Sequence, residues 1–243
     1  MPAPVELPPD PPCKPIAMIF GDHVQYATTD APSQWIKGAC SGVGWTVGSL
    51  VPNRYSSFVR VCPPEPLVEN WWSAYRDLFA VIASIGERHT STPDRAWFAV
   101  WEGHGFANAT THIAWQEPFD DTNRQAREQE LSRLHDEDAR RNAAIRASLR
   151  QVPTFDLPHH SYYLLTGPVW AATHLTDPGS ASGARWRNPD LFWPDDRRWF
   201  VATDADFWSL YIGGDHGFIT ELTRTVPTPT EIVTIDYQLE VED

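Results

Sequence analysis

The chain has 243 residues, a formal net charge of −13, 12% aromatic residues and twelve tryptophans. Its apolar share of 42% supports a sizeable core and excludes intrinsic disorder over most of the length. The acidic balance argues against a nucleic-acid partner, because phosphate backbones need a concentrated basic surface.

Residues 1–15 carry seven prolines and are expected to form an extended arm. The apolar run from Ile16 to Phe20 stops at Gly21, short of a secretory signal. No apolar stretch approaches bilayer length, so no membrane association is expected. Cys13, Cys40 and Cys62 are too widely spaced for a metal-ligand pair, and their odd number gives no disulfide framework. A reducing, cytoplasmic setting is expected.

Four glycines between Gly38 and Gly48 mark a loop, and Tyr55 to Val61 reads as a strand closed by Cys62-Pro63-Pro64. Leu67, Trp71, Tyr75, Leu78, Phe79 and Ile82 recur at three and four residues, an amphipathic helix that Gly86 should end. Arg95 to Trp101 is apolar on both faces and reads as an interior strand. Residues 122–151 hold seven arginines and five acids at spacings that suit a long exposed helix laced with ion pairs. Pro158 to Thr166 is a further strand, followed by a loop over 177–190. Asp215 is placed to cap a short helix bearing Phe218, Ile219 and Leu222, and Glu231 to Tyr237 reads as a closing strand. Strands and helices mix without βαβ alternation. The expected class is therefore α+β, with a mixed, largely antiparallel sheet on a few helices. Residues 16–243 form one expected domain with a charged helical insertion at about 122–151.

Several blocks together resemble an actinobacterial protein family. They are Ser49 to Pro52, Phe58 to Arg60, Trp97 to Gly103, Tyr162 to Leu164, Thr166 to Pro168, and above all Pro189 to Gly214. The last block reads Pro-x-Leu-x-Trp-Pro-x-Asp-Arg-x-Trp, then Val-Ala-Thr-Asp-x-Asp and Tyr-x-Gly-Gly. The resemblance covers residues 45 to 220 or so and supplies no activity.

Asp204 and Asp206 could share a hard cation if the chain stays extended, because alternate strand residues point to one side. Phosphatases of the haloacid-dehalogenase type need several βα units after such a motif, and only 37 residues follow Asp206. Nucleotide-sugar transferases need a βαβ half before it, and none is visible. The alternative has one aspartate capping a turn and the other pairing with Arg197 or Arg198. Gly38-Ala39-Cys40-Ser41-Gly42 spells a nucleophile elbow but lacks the strand before it and the helix after it. His159 and His160, being adjacent, should point to opposite faces. The one active centre the sequence can assemble gathers Glu102, His104, Asp204, Asp206 and His216, for acid–base or metal-assisted chemistry.

With no persuasive catalytic group, the leading expectation is a non-catalytic domain that binds a protein partner, in the manner of a toxin-neutralising immunity protein, and needs no cofactor. Trp186, Trp193 and Trp208, which flank loops, and Arg197 are its expected surface. The alternatives are a metal-assisted hydrolase or transferase using Asp204 and Asp206, and an oligomeric scaffold built through the charged helix.

Overall fold

In a computed structural model of the protein, the residues described are 20–40, 44–63, 71–108, 124–158, 160–177, 185–204 and 207–239. The proline-rich arm at 1–15 lies outside them, as do Asp206, His159 and the side chain of Trp208.

The framework is one antiparallel sheet. Its strands are β1 (Gln25–Tyr26), β2 (Ser57–Val61), β3 (Ala96–Trp101), β4 (Thr154–Asp156), β5 (Ser161–Gly167), β8 (Leu191–Pro194), β9 (Phe200–Asp204), β10 (Phe207–Gly214) and β11 (Thr230–Val233). They run in the order β1-β5-β3-β8-β9-β10-β2-β11, with β4 pairing the other half of the free edge of β5. A separate two-stranded ribbon joins β6 (Thr176–Asp177) to β7 (Arg185–Trp186). The helices are α1 (Gln34–Lys37), α2 (Val47–Leu50), α3 (Trp71–Arg88), α4 (Arg124–Leu149) and α5 (His216–Thr225). The architecture is α+β.

The central strands of the sheet are buried on both faces, which explains why they are apolar without alternation. Successive residues of a strand enter different cores. On β3, Ala96, Phe98 and Val100 face a core shared with α3 and α5, while Trp97 and Ala99 face the second. On β9, Val201 joins the first core, and Phe200 and Ala202 join the second beside Ile36 of α1 and Val47 of α2.

Helix α3 does not stop at Gly86 but continues to Arg88. The glycine serves packing instead. The Trp199 ring lies where its Cβ would be, 2.5 Å away, and the indole N–H donates to the Gly86 carbonyl at 3.0 Å. Asp215 caps α5 as its sequence implies, accepting from Phe218 N–H at 2.8 Å. The charged segment is helical as α4, with Arg133 bridging Glu130 and Glu137 and Arg141 meeting Asp138. The exposed pairs to Arg133 contribute little each. Ile145 and Leu149, near its C-terminal end, enter the first core. Among the described residues, no helix is long and apolar enough to cross a membrane.

Candidate functional site

Four neighbouring strands deliver side chains to one end of the sheet. Trp101 ends β3 opposite Tyr162 of β5. Asp190 precedes β8, and Asp204 ends β9. His160 sits in the hairpin between β4 and β5, where its carbonyl accepts from Leu157 N–H at 2.9 Å. His104 closes a 3-10 turn over Glu102–His104. That turn needs Gly103, because a Cβ there would run into the Trp101 ring, so the chain can fold back over the indole.

Asp190 is tied to both neighbouring strands. Its backbone N–H donates to the Ala99 carbonyl at 2.9 Å, and its carbonyl accepts from Thr203 N–H at 2.7 Å. Its side chain is 5% exposed. Oδ2 accepts from Trp101 N–H at 2.7 Å, and His104 Nε2 lies 3.0 Å from Oδ1 and 3.1 Å from Oδ2. A second pair repeats the pattern. His160 Nε2 lies 3.0 Å from Oδ2 of Asp204, whose side chain is 0% exposed. The Trp101 ring stands against both imidazoles, with centroids 5.0 Å from His104 and 4.6 Å from His160.

An ionised carboxylate only accepts hydrogen bonds, so each pair places a proton on Nε2. Nδ1 is left as the second ring nitrogen of each imidazole, to accept a proton or hold a ligand. The carboxylates are felt further away. The Tyr162 phenol is pushed up chiefly by burial, then by Asp190 and Asp204. Burial lowers the Arg187 guanidinium, against the raising effect of Asp190 and Asp177.

A cleft of about 450 Å³ opens beside this turn, lined by Glu102, Phe106, Asn108, Arg146, Arg150 and Tyr163. Arg146 donates to the Ala107 carbonyl at 2.8 Å, which ties the end of α4 to the segment after His104.

The five residues the sequence could assemble are only partly gathered. Strands β3 and β9 are not adjacent, because β8 lies between them, yet Glu102, His104 and Asp204 fall at the same end of the sheet. His216 does not converge. It opens α5 just after Gly213, which pairs with Phe200 at the other end of β9, four residues or roughly 13 Å from Asp204. Asp204 pairs with His160 rather than with Arg197 or Arg198. Among the described residues, no group of three or more His, Cys, Asp and Glu side chains could hold a metal ion. Asp206, the other half of the expected cation pair, lies outside them.

The expected tryptophan surface is corrected at Trp193. Trp193 is 0% exposed and stacks on Phe200 at 5.5 Å, because this strand position faces the second core. Trp186 is half-buried edge-on against Tyr75 and Phe79 and donates its indole N–H to the Ala172 carbonyl at 3.2 Å. Cys40 is buried, and burial pushes its thiol up to about 12, so it has no thiolate character at neutral pH. The segment before it is helix α1, not the strand an elbow requires.

Asp190 and His160 are the members the sequence did not point to. Asp190 lies in a stretch that reads as loop, and the pairing distances along the chain, 86 and 44 residues, leave no local signal.

No family model matches the chain, and neither does any curated protein or solved structure.

Proposed function

We propose that the protein is an acid–base enzyme, with His104 and His160 as its proton-transferring groups and Asp190 and Asp204 as their orienting carboxylates. One observation carries this reading. Two buried carboxylates each hold one imidazole by Nε2, and a single indole lies against both rings. General acid–base catalysis needs imidazoles of fixed orientation with one nitrogen available. Two in one centre let one ring give a proton while the other takes one, as a hydrolysis requires. The neighbouring cleft, with Arg146, Arg150, Asn108 and Glu102, suits a polar or anionic substrate.

The test is turnover of chromogenic carboxylic esters and phosphoesters by the wild type, His104→Ala and His160→Ala. Each variant is expected to lose roughly 10²- to 10⁴-fold in rate while keeping its circular dichroism spectrum. No turnover by the wild type, or equal turnover by the variants, overturns the reading.

A protein-binding role has a different observation in its favour. Trp170 is 40% exposed and meets His23 at 4.8 Å and His174 at 5.1 Å, both exposed, so three rings share one surface patch. Aromatic rings of this kind suit a protein partner, such as the toxin of an immunity pair. The matching test is capture of a stoichiometric partner from host lysate by the wild type and its loss in Trp170→Ala; capture by both sinks it. A cytoplasmic location belongs to the same proposal and is supported by Cys40 and Cys62 being free thiols.

A further inference from the structure

The opposite end of the sheet carries a second, independent feature. The turn between β8 and β9 brings Arg197 and Arg198 beside Arg54, which lies just before β2, at a cleft of about 300 Å³. Gly214 and Asp215, at the start of α5, form another wall. The Arg54 guanidinium stands 5.5 Å and the Arg197 guanidinium 5.2 Å from the Trp35 ring centroid. Two cations are thus gathered on one indole.

Three arginines together in a chain of net charge −13 ought to attract carboxylates. None of the three has an ion pair among the described residues. The two aspartates in the cleft are already engaged. Asp196 Oδ2 accepts from Ser91 N–H at 2.7 Å and Ser91 O–H at 2.8 Å, and Oδ1 accepts from Arg198 N–H at 3.2 Å. Asp215 Oδ1 caps α5. The lining therefore carries three positive and two negative side chains.

The backbone points the same way. Arg197 has a φ of 59°, and no other described non-glycine residue has a positive φ. A left-handed arginine is disfavoured, and glycine would relieve the turn. The Tyr55 hydroxyl donates to the Arg197 carbonyl at 3.2 Å and so holds it in place.

From these observations we infer that the Arg54–Arg197–Arg198 cleft is a binding site for a phosphate monoester group. Guanidinium forks match phosphate oxygens with paired charge-assisted hydrogen bonds, and three of them around one cleft suit a doubly charged group better than a single carboxylate. The site is separate from the histidine centre and stands or falls independently of it.

Calorimetric titration with inorganic phosphate, phosphoserine and serine tests this, at constant ionic strength set by chloride. The wild type should bind phosphate and phosphoserine and ignore serine. Tighter binding of phosphoserine than of inorganic phosphate indicates an organic monoester, and equal binding indicates the free ion. Arg54→Gln and Arg198→Gln should each weaken binding about tenfold. Arg197→Gly should abolish it while holding or raising the thermal midpoint, since it removes the guanidinium and the backbone strain together. No binding by the wild type, or binding unchanged in all three variants, overturns the assignment.

Discussion

His160 and Asp204, 44 residues apart in sequence, meet as a buried pair with Nε2 3.0 Å from Oδ2. The carboxylate is 0% exposed and the imidazole 14%. Removing one member of such a pair strands the other without its partner in a poorly solvated place. Asp204→Ala is therefore expected to cost about 3–5 kcal/mol, read as a fall in the urea midpoint at unchanged slope. A loss near zero would mean that the pair is solvated in solution.

The Gly86–Trp199 contact decides between two opposing effects. Alanine for glycine inside a helix gains about 0.5–1 kcal/mol. Here the new methyl meets the Trp199 ring at 2.5 Å, on the side of a fully buried indole. Overpacking of that kind costs about 1–3 kcal/mol, so Gly86→Ala should destabilise on balance. Urea unfolding measures the sign directly, and a stabilised variant would show that the ring can move.

Alkali should unfold the protein with its tyrosines. The phenols of Tyr26, Tyr55, Tyr75 and Tyr162 are all raised well above their ordinary value of 10.0, each mainly by burial. Their neutral forms are favoured in the folded state, so the stability they contribute is complete below pH 10. It is lost as pH rises beyond that, where the unfolded chain ionises first. Tyrosinate absorbance and loss of the circular dichroism signal should rise together. Full tyrosinate absorbance in a folded protein would contradict this.

Cys40 should resist thiol reagents at pH 8, with a thiol pushed up to about 12 by burial. Cys62 is only partly buried and should be labelled in the native state. Mass mapping of the labelled peptides distinguishes them, and rapid native labelling of Cys40 would show that the second core opens.

The framework was legible where one residue pattern had one physical solution. Arg95 to Trp101 is too apolar for a half-exposed strand, and it lies inside a sheet covered on two faces. The cap at Asp215 and the ion-pair spacing around Arg133 are local and were readable for that reason. What failed was decided across the chain. Gly86 spells a helix stop, but Trp199 arrives from 113 residues away to fill its place. Trp193 sits in a loop-flanked stretch, yet strand alternation turns it into the second core. The candidate centre was half visible. Glu102 and His104 stand out in the sequence as polar residues just past a strand and Asp204 as half of an Asp-x-Asp pair, whereas the partners that orient the imidazole and carboxylate, Asp190 and His160, become visible only when β5, β3, β8 and β9 stand side by side.

The proposed acid–base centre depends on each carboxylate fixing one imidazole. The most direct measurement is nitrogen-resolved NMR of the His104 and His160 rings in the wild type, Asp190→Asn and Asp204→Asn. The wild type should show a slowly exchanging, hydrogen-bonded Nε2 proton on both rings. Asp190→Asn should lose it at His104 alone, and Asp204→Asn at His160 alone. Protons found on Nδ1 in the wild type, or Nε2 signals untouched by either substitution, would contradict the arrangement on which the proposal rests.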